Sequence, residues 1–171
     1  LHALRDPPSP TEQEAEEAGI VYIPLDTPQP DARLQATPQT PPPPSSRPAG
    51  SAPRNLVGTL VNGAGLAMNT NDVLYLRLSS APYSSQPANF LDTGGKATSQ
   101  TIKTSFKLIL SDPRVAVVFV NIFGGLTRAD MIAEGIVLAF RELHVHTPVV
   151  VRLRGTNEER GNEILAQAGL P

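Results

Sequence analysis

The fold of this chain is decided by the stretch Val115-Ala116-Val117-Val118-Phe119-Val120-Asn121-Ile122-Phe123-Gly124-Gly125-Leu126-Thr127-Arg128-Ala129-Asp130. Its first nine residues are mostly β-branched or aromatic, which is typical of a strand buried on both faces of a parallel sheet. The two glycines allow a sharp reversal and a close approach of other backbone. A helix predicted over residues 126–142 follows, and its free N–H groups and positive dipole end lie at the carboxyl edge of the sheet. Because open α/β sheets bind ligands at that edge, the stretch predicts a site for a phosphate or a carboxylate.

The same alternation of strand and helix repeats on both sides of this stretch. Crossover helices of ten or more residues connect parallel strands, so the predicted fold class is α/β, a flavodoxin-like doubly wound parallel sheet. Each strand ends at glycines, which indicates that something comes close to the carboxyl edge. The other strands are predicted over residues 56–61, 87–92 and 148–153, and the other helices over 66–76, 99–110 and 158–168.

The chain before residue 26 predicts one short helix and one strand. Thr11 and Glu14 fit a capping box, with Thr11 at the N-cap, and the helix that they open ends at Gly19. Residues 20–25 predict a strand, and Pro24 within it indicates a place at the edge of the sheet.

Residues 26–54 interrupt this globular pattern. Nine of the 18 prolines lie between residues 28 and 53, with few apolar residues among them. Such a segment cannot offset its ordering entropy, and we expect a disordered insert with polyproline II character. The alternative is that Pro41 to Pro44 dock in an aromatic groove of a partner. The predicted organisation is therefore residues 1–25 as a remnant of a preceding helix and strand, 26–54 as the insert, and 55–171 as the main domain.

The composition argues against several classes of protein. A net charge of −2 gives no strong field toward nucleic acid or an anionic membrane, and we expect neither as a partner. No apolar run approaches the roughly 20 residues that span a bilayer. With no cysteine there is no thiolate chemistry. The spacing of His144 and His146 is weak metal evidence without nearby carboxylates, so no metal site is predicted.

The turns leave two side-chain interpretations open. Arg128, predicted in the first helical turn, opposes the helix dipole, which is reasonable if an anion lies between it and the backbone N–H groups. The alternative is a solvated arginine paired with Asp130. Asn62 follows a strand, where its amide either binds a ligand carboxylate or closes its own turn. No nucleophile–base pair is evident, so no catalytic residue is predicted on this chain alone.

Five blocks of sequence, in order, carry a specific resemblance to a known family. They read Val61-Asn62-Gly63-Ala64-Gly65-Leu66-Ala67-Met68, Pro87-Ala88-Asn89-Phe90-Leu91-Asp92-x-Gly94-Gly95-x-Ala97-Thr98, Phe106-Lys107-Leu108-Ile109-Leu110-Ser111-Asp112, Val120-Asn121-Ile122-Phe123-Gly124-Gly125 and Pro148-Val149-Val150-Val151-Arg152-Leu153-x-Gly155-Thr156. Together they closely resemble the carboxyl-terminal ligase-CoA domain of the succinyl-CoA synthetase (succinate–CoA ligase) beta subunit. The resemblance covers residues 55–171 and, more loosely, 11–26.

The resemblance implies an activity and a site. The family joins succinate and coenzyme A at the expense of a nucleoside triphosphate, or runs the reverse reaction, in the tricarboxylic acid cycle. A histidine of the partner alpha subunit is phosphorylated, and its phosphate is held between two helix N-termini, one from each subunit. The succinate- and phosphate-binding positions that the resemblance places on this chain are Asn62, Gly124, Gly125, Leu126, Thr127 and Arg128.

The resemblance also sets expectations for cofactors and partners. The full enzyme uses coenzyme A and ATP or GTP with Mg²⁺, and we expect this chain alone to bind none of them and to be inactive, because the family's ATP-grasp domain is absent. The expected partner is an alpha subunit, in a heterodimer, and in a eukaryote the expected location is the mitochondrial matrix. The family continues beyond Pro171 through another strand and helix, so the domain is expected to be truncated.

Departures from the family keep other functions open. Thr127 and Ala129 stand where the family commonly has a larger apolar residue and a cysteine, and Lys96 replaces a usual glycine. One alternative is a non-catalytic interaction module that binds an alpha subunit. Another is a related acyl-CoA ligase, such as malate–CoA ligase or a citrate-cleaving enzyme.

Overall fold

The computed structural model describes residues 8–25, 55–95 and 97–169. In chain order the elements are α1 (Pro10–Glu17), β1 (Val21–Pro24), β2 (Leu56–Val61), α2 (Ala64–Leu78), β3 (Asn89–Asp92), α3 (Ser99–Leu110), β4 (Val115–Gly124), α4 (Ala129–Leu143), β5 (Val149–Gly155) and α5 (Glu158–Gln167). The predicted insert at residues 26–54 lies outside the described residues.

The five strands form one sheet in the order β1-β3-β2-β4-β5. The last four strands pair in parallel, and β1 joins the edge of β3 in antiparallel orientation. The α/β class and the doubly wound parallel sheet are therefore confirmed, with β1 at the edge where Pro24 predicted it. The antiparallel edge strand is the one addition to the predicted parallel sheet.

The principal core lies between the sheet and the layer that contains α3, α4 and α5. Val118, Val120 and Ile122 of β4 have no exposed surface, and they face Ile132 and Ile136 of α4 in one continuous apolar cluster. Alternation along β4 sends Asn121 to the opposite face, where its side-chain amide donates to Thr70 Oγ1 of α2 at 2.9 Å. The helices therefore flank both faces of the sheet, as a doubly wound fold requires.

The first helix begins two residues earlier than predicted. Its N-cap is Ser9, which accepts from the Glu12 amide, while the Glu12 carboxylate accepts from the Ser9 N–H at 2.7 Å. Thr11 therefore lies inside the helix, and the predicted Thr11–Glu14 capping box is wrong. Pro10 gives the reason, because a proline is most favourable at the first helical position and its fixed φ suits that place.

The other elements differ from their predicted bounds only at their ends. Thr98 caps α3 as predicted, with its hydroxyl accepting from the Thr101 N–H. In α2 the helix extends beyond the predicted residues 66–76 at both ends. Before β3, Pro87 forms only an isolated bridge with Val57, because a proline nitrogen cannot donate to the ladder.

Candidate functional site

The carboxyl edge of the sheet brings the turns after β2, β3, β4 and β5 side by side. Asn62, after β2, reaches across to β4: its Nδ2 donates to the Phe123 carbonyl at 2.9 Å, and its Oδ1 accepts from the Phe123 N–H at 2.8 Å. Asn62 therefore fixes the residue that directly precedes Gly124 and Gly125. Its side chain does not close its own turn, and one N–H of its amide is left for another acceptor.

Asp92, at the end of β3, joins the first two turns. Its Oδ1 accepts from the Gly63 N–H at 2.6 Å and from the Gly94 N–H at 2.7 Å. The sequence offered no local signal for this role, because Gly63 lies 29 residues away along the chain. Asp92 thus holds two glycine turns against each other.

The turn after β5 packs directly on the turn after β4. Thr156 donates its N–H to the Gly124 carbonyl at 3.1 Å and its hydroxyl to the Gly125 carbonyl at 3.1 Å. Gly155 has φ +97°, and a Cβ there would lie 2.1 Å from the Gly124 oxygen. Only glycine permits this approach. The close backbone approach predicted at Gly124 is confirmed, and the neighbour that makes it is the turn at Gly155.

Helix α4 begins later than predicted. Arg128 is its N-cap and Ala129 its first residue, so Arg128 does not lie in the first helical turn. The Ala129 N–H is not free, because it donates to the Thr156 carbonyl at 2.9 Å. Gly161 of α5 also packs against Ala129, since a Cβ on Gly161 would lie 2.9 Å from the Ala129 carbonyl. The start of α4 is therefore covered by the β5–α5 turn rather than open to a ligand.

The unpaired amides lie in the loop before α4. The backbone N–H groups of Gly125, Leu126 and Thr127 donate to no acceptor in the described part of the chain. Around Gly125 there is open space, and Leu126 is 87% exposed. Successive free N–H groups in a turn form a concavity that suits an anion. The candidate anion site is therefore this loop.

Thr127 differs from its two neighbours because it is buried, with 3% of its surface exposed. Its hydroxyl makes no hydrogen bond in the structure. A buried hydroxyl without a partner costs free energy. The environment of Thr127 accordingly suits an apolar side chain better than a hydroxyl.

Arg128 is paired with Asp130, as the alternative interpretation of the sequence predicted. Its Nη2 lies 2.6 Å from Asp130 Oδ2 and its Nε 3.1 Å from Oδ1. The hydrogen bond from Arg128 is the main cause that lowers the pKa of Asp130, with a further contribution from Asn157. About half of the Arg128 side chain remains exposed, at 53%. The pairing offsets an unfavourable cation beside the helix N-terminus and leaves the guanidinium within reach of solvent.

A cavity of about 500 Å³ lies at the same edge of the sheet, beside the turn after β3. Of the predicted site residues, only Leu126 lines it. The cavity therefore lies toward α3 rather than directly before α4. Its lining residues are Ala18, Gly19, Thr93, Gly94, Gly95, Thr101 and Leu126.

Two features are absent from residues 8–25, 55–95 and 97–169. No group of three or more His, Cys, Asp or Glu side chains could hold a metal ion there. None of the helices in these ranges is long and apolar enough to cross a membrane.

The fold and the site define the chain as a doubly wound α/β domain with a loop of unpaired backbone N–H groups at its carboxyl edge. A profile of the family described as CoA-ligase matches residues 60–171, so this chain belongs to the CoA-ligase family. The resemblance found in the sequence is thereby confirmed at the level of the family.

Curated relatives place the match more closely. The succinate–CoA ligase [ADP-forming] subunit beta of Paramagnetospirillum magneticum is 56% identical over 115 residues, which are 67% of this chain and 27% of that protein. The subunit of the same name from Actinobacillus succinogenes is 45% identical over 172 residues, which are 99% of this chain and 36% of that protein. The chain thus spans about a third of the length of these relatives.

A solved structure supports the fold. ATP citrate lyase from Methanothrix soehngenii, in complex with citrate and coenzyme A, superposes with a TM-score of 0.65 over 96% of this chain and 40% of that chain. The two sequences are 18% identical, so the likeness concerns the fold alone.

Proposed function

We propose that this chain is the ligase-type domain of a succinate–CoA ligase beta subunit. In the proposed reaction, succinate, coenzyme A and a nucleoside triphosphate give succinyl-CoA, the nucleoside diphosphate and phosphate, through a phosphohistidine on an alpha subunit. The family match over residues 60–171 and the names of the relatives support the proposal. Coenzyme A, the nucleotide and Mg²⁺ belong to the full enzyme, and we assign none of them to residues of this chain.

The observation that carries the proposal is the set of unpaired amides at Gly125, Leu126 and Thr127. Backbone N–H groups fixed in position stabilise a phosphate or carboxylate without having to reorganise when the anion arrives. Asn62 and Thr156 supply that rigidity from either side of the loop.

The side chains around the loop have complementary roles in the proposed site. The half-exposed guanidinium of Arg128 adds positive charge near the bound anion, while Asp130 orients it. The remaining N–H of the Asn62 amide is available for a succinate carboxylate. Gly124 keeps the loop tight, because a Cβ there would lie 3.0 Å from the Thr127 carbonyl oxygen.

Reconstitution of the enzyme tests the proposed function. The full chain is mixed with a succinate–CoA ligase alpha subunit and a separately produced ATP-grasp domain, and release of nucleoside diphosphate is followed with succinate and coenzyme A. We expect succinate-dependent turnover that needs all three components. A folded chain that binds the alpha subunit without any turnover would instead identify a non-catalytic interaction module. Turnover with malate or citrate in place of succinate would identify a related acyl-CoA ligase.

Titration of inorganic phosphate or succinate against the full chain, followed by amide NMR shifts, tests the anion site. We expect Arg128→Ala to weaken binding about two- to fivefold, because it removes one half-exposed cation. Arg160→Ala is the matched control, since Arg160 is a similarly exposed arginine paired with Glu163 on α5. An unchanged affinity of Arg128→Ala would remove Arg128 from the site.

A glycine pair tests which turn binds the anion. Gly125 and Gly95 both have open space where a Cβ would lie, and neither has a positive φ that would strain a side chain. We expect Gly125→Val to weaken phosphate binding and Gly95→Val to leave it unchanged. The opposite result would move the site to the cavity beside β3.

A further inference from the structure

Asn62 and Gly63 form an asparagine–glycine pair at the carboxyl edge of the sheet. Asparagine is among the chemically labile residues of proteins. Its deamidation is fastest where glycine follows, because no Cβ hinders the ring that must close. Asn62 is the one asparagine in the sequence that precedes a glycine. In the structure Asn62 is half-buried and Gly63 is exposed, so water reaches the pair.

The deamidation reaction has two chemical steps. In the first, the Gly63 nitrogen forms a bond to Asn62 Cγ and loses its proton, and the Nδ2 group takes up a proton and leaves as ammonia. In the second, water opens the resulting succinimide at either ring carbonyl, which gives aspartate or isoaspartate in place of Asn62. The reaction therefore needs a Gly63 nitrogen that can lose its proton and an Asn62 side chain that can turn toward it.

A hydrogen bond from Gly63 opposes the first of these requirements. The Gly63 N–H donates to Asp92 Oδ1 at 2.6 Å. The same oxygen accepts from the Gly94 N–H at 2.7 Å, so the carboxylate is anchored on both sides. A bond to a carboxylate is charge-assisted and favours the protonated nitrogen, while a carboxylate is too weak a base to remove that proton. Asp92 therefore keeps the Gly63 nitrogen unreactive.

Two hydrogen bonds from the Asn62 side chain oppose the second requirement. Its Nδ2 donates to the Phe123 carbonyl at 2.9 Å, and its Oδ1 accepts from the Phe123 N–H at 2.8 Å. Both polar atoms of the amide are thus bonded to β4, and rotation of the side chain toward the Gly63 nitrogen would break both bonds. The reaction needs these bonds and the Asp92 bond to open together, which makes it slow in the folded chain.

We infer that Asn62 is a site of deamidation through a succinimide, and that Asp92 suppresses this modification by binding the Gly63 N–H. The modification has a consequence for the candidate anion site. A carboxylate in place of the Asn62 amide cannot donate to the Phe123 carbonyl, and it adds negative charge beside the loop at Gly125. This consequence rests on the proposed function, whereas the modification itself does not.

Peptide mapping by mass spectrometry follows the modification in the full chain during incubation at neutral pH. Asp92→Ala removes the acceptor of the Gly63 N–H, and we expect deamidation of Asn62 to become about tenfold faster or more, because a charge-assisted bond is lost. Asp72→Ala is the matched control, since Asp72 is an exposed aspartate on α2, and it should leave the rate unchanged. Asn162, which is exposed and precedes Glu163, is the internal control in every digest. Thermal unfolding of each variant shows that it is folded.

The wild-type chain in guanidinium chloride supplies a second measurement that needs no variant. We expect Asn62 to deamidate at least about tenfold faster in the denatured chain than in the folded one, because the hydrogen bonds that restrain it are absent. Equal rates in the two states would overturn the inference. An unchanged rate in folded Asp92→Ala would overturn it as well, and a slower rate would identify Asp92 as a base that promotes the reaction.

The effect on the anion site is measured separately. Asn62→Asp reproduces one of the two products, and we expect it to weaken phosphate binding about two- to fivefold through the added negative charge. If Asp92→Ala accelerates deamidation but Asn62→Asp binds phosphate like the wild type, the modification site stands and the place of Asn62 in the proposed anion site is wrong. If Asn62→Asp weakens binding but Asp92→Ala deamidates at the wild-type rate, the anion site stands and the inference about Asp92 is wrong.

Discussion

Helices α2 and α4 have the same length, 15 residues, and very different roles. Eight residues of α4 are buried, whereas α2 buries only Ala67 and Thr70. The apolar residues of α4 recur at helical spacing and form one stripe, as in Ile132, Ile136 and Phe140. In α2 the apolar residues are spread around the helix, and polar bonds attach it to the sheet. Two helices of equal length can therefore contribute unequally to stability, depending on how their apolar residues are arranged.

The difference in packing between α2 and α4 is tested most directly by shortening one large side chain in each helix. Ile136→Ala in α4 removes a side chain with no exposed surface and leaves a cavity, and we expect a loss of about 2–5 kcal/mol in the free energy of unfolding. Leu76→Ala in α2 removes a side chain that is 74% exposed, and we expect a change within about 0.5 kcal/mol. Urea unfolding measures both, and equal losses would show that α2 is packed as tightly as α4.

In a second pair of variants, the same glycine-to-alanine substitution is expected to destabilise the chain in α4 and to stabilise it in α2. Gly135 of α4 touches α3, and a Cβ there would lie 2.8 Å from Ile102 Cβ and 3.0 Å from Ser99 Cα, so Gly135→Ala should cost about 1–3 kcal/mol. Gly65 of α2 has open space around it, so Gly65→Ala should stabilise by up to about 1 kcal/mol. The two midpoints of unfolding should move in opposite directions, and a shared direction would contradict the difference in packing.

Two buried threonines test how much side-chain hydrogen bonds contribute to stability in the two regions. Thr70 Oγ1 donates to the Leu66 carbonyl and accepts from Asn121 Nδ2. Thr70→Val removes the acceptor of this Nδ2 group and should cost about 1–3 kcal/mol. Thr127, before α4, has no partner for its hydroxyl, and Thr127→Val should stabilise by up to about 1 kcal/mol. Thermal unfolding of the two variants is the measurement. A loss of stability in Thr127→Val would mean that the Thr127 hydroxyl has a partner in solution, such as a bound water.

The smallest expected effect concerns pH at the start of α4. The hydrogen bond from Arg128 lowers the pKa of Asp130 below that of the unfolded chain, which is about 3.9. A carboxyl with a depressed pKa stabilises the fold above the unfolded value, and this contribution is lost as the pH falls through the folded value. Asp130→Asn should therefore lower the melting temperature slightly at pH 7 and show a smaller difference from wild type near pH 3. If the difference in melting temperature between wild type and Asp130→Asn grew as the pH fell, the lowered pKa of Asp130 would be contradicted.

The sequence allowed most of the architecture to be predicted, because each strand and helix carries its own periodicity. The prediction failed where two local signals compete or where a residue distant in the chain makes the deciding contact. Ser9 and Thr11 each begin a plausible capping box, and Pro10 decides between them. The start of α4 depends on the Thr156 carbonyl, which arrives from the following turn and is invisible in the local pattern.

The candidate site was predictable in its location and less so in its contacts. Glycines at the strand ends indicated the carboxyl edge, where the turns after β2, β3, β4 and β5 do lie together, and the family resemblance indicated the loop at Gly125. The partner of Asn62 could not be read from nearby sequence, since Phe123 lies 61 residues further along the chain. Whether Asn62, Gly124, Gly125, Leu126, Thr127 and Arg128 bind succinate or phosphate stays a prediction.

The bonds made by Asp92, Asn62 and Thr156 run from one turn to the next along the whole rim. Each of them bonds main chain in a neighbouring turn or strand end, so the four turns are connected in a row. Because each turn is bonded to its neighbour, we expect a change in one turn to shift the adjoining turns as well. The shape of the proposed anion site consequently depends on side chains that lie outside the loop at Gly125 itself.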